Sequence, residues 1–164
     1  MRCGTAAPGS LDACGGRLSD AGAASSVGLM SSDALSVLFP NVATTRGISV
    51  RVAVSYLAEQ SNPALNRWFW SYHIRIENRS EVSVQLLTRS WKIIDGRGAT
   101  HEVHGEGVVG ETPLIAPGGS FDYVSGCPLD TSSGSMTGSY RMVDEDGSLF
   151  DIEIPRFALL APPA

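Results

Sequence analysis

The chain has 164 residues, 43% hydrophobic and 18% charged, with a formal net charge of −5. That length and balance suit one globular domain with a sizeable core and exclude a disordered or low-complexity protein. No apolar run approaches the ~20 residues of a membrane span, and the net acidity argues against nucleic acid as the main partner.

The charge is uneven. Residues 46–97 carry eight Lys/Arg against four acids, and residues 98–164 carry two against ten. One half would present a basic surface and the other an acidic one, unless an antiparallel fold interleaves them. The leader MRCGTAAPGSLDACGGRLSDAGAASS has no secretory h-region, because Asp12, Arg17 and Asp20 interrupt it. Residues 1–30 are expected to be a disordered extension, with Met30 a second plausible start. Residues 31–45 are expected to form a partly ordered lead-in, and 46–162 the folded domain. The three cysteines, Cys3, Cys14 and Cys127, match no zinc spacing. Their odd number fits a reducing compartment better than a disulfide framework, and Cys127 reads as a small apolar residue.

From Gly47 the pattern has period two. In ISVRVAVSY, Ile48, Val50, Val52, Val54 and Tyr56 share one face, and Ser49, Arg51, Ala53 and Ser55 the other. After a loop at Asn62-Pro63, RWFWSYHIRIEN points Trp68, Trp70, Tyr72, Ile74 and Ile76 one way. Arg67, His73, Arg75 and Glu77 point the other way, which predicts a solvated His73. VSVQLLTRSWKIID is a third strand with a bulge at Leu86-Leu87, where alternation breaks. Asp95-Gly96-Arg97-Gly98 is a hairpin turn leading to the short strand ATHEVH.

The sixteen residues GEGVVGETPLIAPGGS are long for a connection, and loops of that length are often functional. FDYVSGC resumes a strand, and SMTGSYRMV places Met136, Gly138, Tyr140 and Met142 on one face. After the turn Asp144–Gly147, LFDIEIP closes the sheet, with Pro155 ending regular pairing and Phe157 and Leu159 pinning the tail. About seven short strands without a long amphipathic helix predict an all-β, antiparallel sandwich of fibronectin type III or immunoglobulin kind. The Cys…Trp…Cys immunoglobulin signature is absent, so the fibronectin-like version is preferred; a β-barrel is the competing architecture.

Within the loop, Gly105, Gly107 and Gly110 spell G-x-G-x-x-G. A dinucleotide fingerprint needs those glycines to open a helix whose N-terminus holds the pyrophosphate. Pro113 and Pro117, with Gly118-Gly119 behind, leave no room for one. Two readings remain. In one the glycines adopt backbone angles closed to other residues while Val108 and Val109 plug the core edge. In the other, successive N–H groups form an anion-binding nest. The structural reading is preferred.

HEVHGE offers a weaker metal reading, with Glu102, His104 and Glu106 on one strand face and His101 on the other. Side chains two apart stand nearly ~7 Å apart along a strand, and Gly105 and Gly107 are expected to disrupt it, so a solvated polar face is preferred. No G-x-S-x-G elbow occurs, and no histidine has a base-plus-orienter neighbourhood. Trp68, Trp70, Tyr72, Trp91 and Tyr140 would suit a stacking platform, but their spacing marks them as core.

The motifs SYLAEQS, YHIRIENRS, QLLTRSWKI, HGEGVVGETPLIAPGGSFDYVSG, GSMTGSYRMVDEDG and FDIEIPRFAL, in that order, resemble the ApaG family, also called the DUF525 domain. The resemblance runs from about Thr44 to Pro162 and implies a fibronectin type III-like sandwich. It also implies a bacterial, cytoplasmic protein associated with cobalt and magnesium homeostasis. Related eukaryotic domains look like protein-binding modules, and the family's glycine motif maps onto Gly105, Gly107 and Gly110. The family supplies no catalytic residues to carry over, and its members generally lack a leader like residues 1–30.

The expectation is therefore a non-enzymatic binding module without cofactor or membrane insertion. Its partner would be an unidentified protein, or alternatively a phosphate-containing small molecule or divalent cation. Its surface would be the loop of Gly105, Gly107, Val108, Val109, Gly110 and Pro113. Arg89 and Arg97 are candidate anion contacts, with Arg89 better suited to pairing an internal acid beside Trp91.

Overall fold

A computed structural model describes residues 32–163; the expectations for residues 1–30, including Cys3 and Cys14, lie outside them. In chain order these residues form helix α1 (Ser32–Leu38), then β1 (Asn41–Thr45), β2 (Ile48–Tyr56), β3 (Trp68–Asn78) and β4 (Val84–Asp95). They continue as β5 (Thr100–Glu106), β6 (Leu114–Ile115), β7 (Ser120–Leu129), β8 (Ser133–Asp144) and β9 (Leu149–Leu160). Strands β1-β2-β3-β7 make one antiparallel sheet; β5-β4-β8-β9 make the other, with β6 also on β4. The expected two-layer antiparallel sandwich forms. The short strands β1 and β6 add to the expected seven, and α1 precedes them.

The inward faces are those that alternation marks. Trp70, Tyr72, Ile74 and Ile76 of β3 meet Trp91, Ile93, Met136, Tyr140 and Met142 of the facing sheet, all buried. Trp91 stands edge-on to Tyr72 at 5.4 Å and to Phe157 at 6.0 Å between ring centroids. These rings are core, not a stacking platform. The bulge falls where the sequence places it, between Leu86 and Thr88. Cys127 is fully buried, as a small apolar residue would be.

Two expectations fail for reasons of tertiary contact. Pro155 does not end the pairing: the β8–β9 register shifts between Met136 and Gly138, and β9 then runs on to Leu160. The irregularity accommodates a residue with no N–H to donate. Phe157 and Leu159 are buried, and the Trp70 indole donates to the Leu160 carbonyl across the sandwich.

The second failure is the expected solvation of His73, because the polar sides of β2 and β3 around it are covered. Arg51, Arg75 and Asp122 form one cross-strand row and are all buried. Two arginines side by side would repel, but Glu77 takes Arg51 Nε at 2.6 Å and Arg75 Nε at 3.2 Å. Asp122 accepts from Arg75 Nη1 at 3.2 Å. Burial alone would raise the Glu77 carboxyl; hydrogen bonding and charge from Arg51, then Arg75, hold it below its ordinary value. His73 lies against Asp122 at 3.5 Å, and the ring of Phe39, just after α1, covers it edge-on at 4.8 Å. The basic and acidic halves of the sequence thus interleave, as in the Arg75–Asp122 pair.

Candidate functional site

The glycine segment is a hairpin set on the edge of β4. Val108 and Glu111 exchange backbone bonds, N–H to O=C, at 2.8 and 2.9 Å. Between them Val109 and Gly110 both have positive φ, 44° and 79°, as a type I′ two-residue turn demands. No helix starts here. Gly107 has φ 61°, and a side chain there would run into the Glu111 carbonyl. Val108 is buried and Val109 packs partly against the core, as the structural reading of the glycines requires. Beyond the turn, the Pro113 carbonyl accepts from Leu86 N–H at 3.0 Å, and Leu114 and Ile115 pair with Gln85 and Val84. The long connection is therefore a continuation of the sheet.

Arg89 supports this hairpin from beneath. It is buried on the inward side of β4, and its Nη1 donates to the carbonyls of Glu106 at 2.9 Å and Gly107 at 2.8 Å. A backbone partner thus takes the place of the internal acid expected for it. Its charge also faces the buried hydroxyls of Tyr72, Tyr123 and Tyr140. Tyr123 and Tyr140 share a short hydrogen bond, and burial pushes both well above the ordinary tyrosine value. Burial likewise raises Tyr72 to about 12, with Ser125 and Arg89 opposing the shift.

Arg97 lies apart from the hairpin, on the turn at the other end of β5. Both Asp130 carboxylate oxygens hold its Nη2 at 2.8 Å. Glu102, His104 and Glu106 share the exposed face of β5, which continues through Gly105 without interruption. Among the described residues no group of three His, Cys, Asp or Glu side chains is placed to hold a metal ion. His104 Nδ1 instead meets Ser90 Oγ at 3.0 Å. The two line a shallow groove of about 470 Å³ with Thr88, Glu106, Arg141 and Asp151. Arg141 is held by Asp151 at 3.0 Å, which raises its guanidinium value further.

Beside the hairpin, the outer face turns apolar. The register aligns Leu114, Gln85, Val143 and Leu149 in one row across β6, β4, β8 and β9. Leu114 is 71% exposed and Leu149 59%. Alternation alone puts each outward, since Ile115 and Phe150 point in. That they share a row follows only from the pairing of β6 and β9 with the strands between them.

Among the described residues no helix is long and apolar enough to cross a membrane. The family model described as ApaG domain, DUF525, matches residues 58–144. The chain is 53% identical over 120 residues to Protein ApaG of Brucella suis biovar 1, covering 73% of this chain and 92% of that one. It is 55% identical to Protein ApaG of Afipia carboxidovorans, with the same shares covered. The fold is similar to a crystal structure of an ApaA protein from Bordetella pertussis, at 42% identity and a TM-score of 0.69, over 71% of this chain and 95% of that one. On the linked motifs, the sandwich and these similarities together, the chain belongs to the ApaG family.

Proposed function

We propose that the chain is a non-enzymatic module that binds a protein partner through the glycine hairpin and the apolar row next to it. The observation that carries this reading is the exposure of Leu114 and Leu149 in one row with Val143, beside a groove lined by polar side chains. Exposed apolar residues gathered in one patch mark interaction sites more often than scattered ones do. A rigid hairpin beside them, pinned by Arg89, presents its shape without an ordering cost on binding. In this reading the groove supplies no reacting group, and its polar side chains pair with one another: Ser90 with His104, and Arg141 with Asp151. Any cytoplasmic link to cobalt or magnesium homeostasis then runs through the partner.

The test is photo-crosslinking in cells from an unnatural side chain at Gln85, in the middle of the row. A discrete crosslinked protein is expected, and Leu114→Asp with Leu149→Asp should abolish it while the melting temperature stays unchanged. A crosslink that survives both substitutions would refute the surface, and the absence of any crosslinked protein would refute the partner.

A further inference from the structure

The free edge of β5 is self-complementary, and we propose that it pairs with the β5 edge of a second copy of this chain about a two-fold axis at Val103. Among the described residues β5 pairs only with β4. Two bonds fix which groups are left over: Asp95 N–H donates to Ala99 O at 3.0 Å and Gly107 N–H to Leu87 O at 2.8 Å. Pairs in an antiparallel ladder alternate between bonded and non-bonded. The odd-numbered residues of β5 therefore bond to β4, and Thr100, Glu102, His104 and Glu106 turn their N–H and C=O to the open side. All four are exposed.

An antiparallel copy centred on Val103 sets Glu102 opposite the second copy's His104, and His104 opposite its Glu102. Thr100 faces Glu106, and the two Val103 side chains meet on the core side. His101 faces Gly105, which has no side chain to obstruct it. Every residue with free backbone groups meets another such residue. Shifting by one residue breaks that match. Shifting by two sets Glu102 against Glu102 in one direction, and Glu102 against Glu106 with His104 against His104 in the other. Like charges directly opposite are destabilising, so the chain's own charges select one register. Natural edges are commonly blunted by charges or proline; this one sets each Glu102 carboxylate opposite an imidazole that can hydrogen-bond it. Arg89 limits its extent, since its guanidinium already occupies the Glu106 carbonyl. With so few residues in contact the dimer is expected to be weak and concentration-dependent. It would join two five-stranded sheets into one.

Sedimentation velocity on the full chain, from micromolar to millimolar concentration, tests this. A monomer–dimer equilibrium is expected. His104→Glu should weaken it about tenfold by setting carboxylates opposite each other at two places. Adding Glu102→His to that variant restores opposite pairs and should recover the dimer to within about threefold of the original. Val103→Cys should give an intermolecular disulfide across the axis, where Cα atoms of a non-bonded pair stand about 4.5 Å apart. A strictly monomeric chain at millimolar concentration would overturn the proposal. So would a dimer indifferent to His104→Glu, or one that the swapped pair fails to rescue.

Discussion

The guanidinium of Arg89 occupies the space in which a side chain at Gly105 would stand: an ideal Cβ there lies 2.8 Å from Arg89 Cζ. The first glycine of the motif is therefore a vacancy cut for an arginine. Gly105→Ala should push the guanidinium off the Glu106 and Gly107 carbonyls and cost about 2 kcal/mol. Arg89→Ala strands the same carbonyls and should cost about 3 kcal/mol. Because both break one arrangement, the double variant should fall short of the sum by more than about 1 kcal/mol. Denaturant titration of the four proteins measures this; simple additivity would show that the two residues act independently.

Val109 is a β-branched residue at φ 44°, a conformation that strains such side chains by about 1–3 kcal/mol. Asn-Gly is the favoured pair for a type I′ turn. Val109→Asn should thus raise stability by about 0.5–1 kcal/mol, net of some lost contact with the core. If the valine is retained for recognition, the same substitution should weaken partner capture. A drop in melting temperature would show that its packing outweighs its backbone strain.

Acid should unfold the protein partly through Glu77. Its folded value is lowered, so its contribution is complete above the ordinary carboxylate range, near ~4.3, and fades as pH falls through the lowered value. Glu77→Gln should be less stable at neutral pH and lose less further stability on acidification. Thermal melts from pH 7 downward check the slope; parallel curves for the two proteins would contradict the assignment.

At high pH the tyrosines act in the opposite sense. Tyr72, Tyr123 and Tyr140 are raised in the fold, so the stability they confer is whole below ~10, the unfolded value, and drains away as pH climbs above it. Their tyrosinate absorbance is expected to emerge together with loss of the sandwich signal in circular dichroism. Ionisation of all three in a protein that keeps its fold would show that they are not sealed from water.

The strands were largely legible because alternation is a local property. The faces of Trp70–Ile76 and of Met136–Met142, the Leu86-Leu87 bulge and the turns all follow from neighbours in sequence. What was not legible depends on distant partners. His73 read as wet, yet its ring is covered, and beside it Arg51 and Arg75 are buried because Glu77 and Asp122 converge on them. Pro155 read as a stop because nothing local shows that β8 can shift register to pass it. At the candidate site, the glycines announced a special backbone. Their link to Arg89, and the alignment of Leu114 and Leu149 at the two ends of one row, needed the pairing of β4 with β5, β6 and β8 and of β8 with β9.

The long reach of β9 past Pro155 has a consequence for biosynthesis. Ile152, Ile154, Phe157 and Leu159 are all buried, and they follow every other strand out of the ribosome. Until they emerge, β8 shows an unpaired edge and the nascent sandwich is open along one side. A growing chain in that condition is a natural client for chaperones, and premature termination anywhere before Phe157 would leave a sticky fragment instead of a shortened working protein.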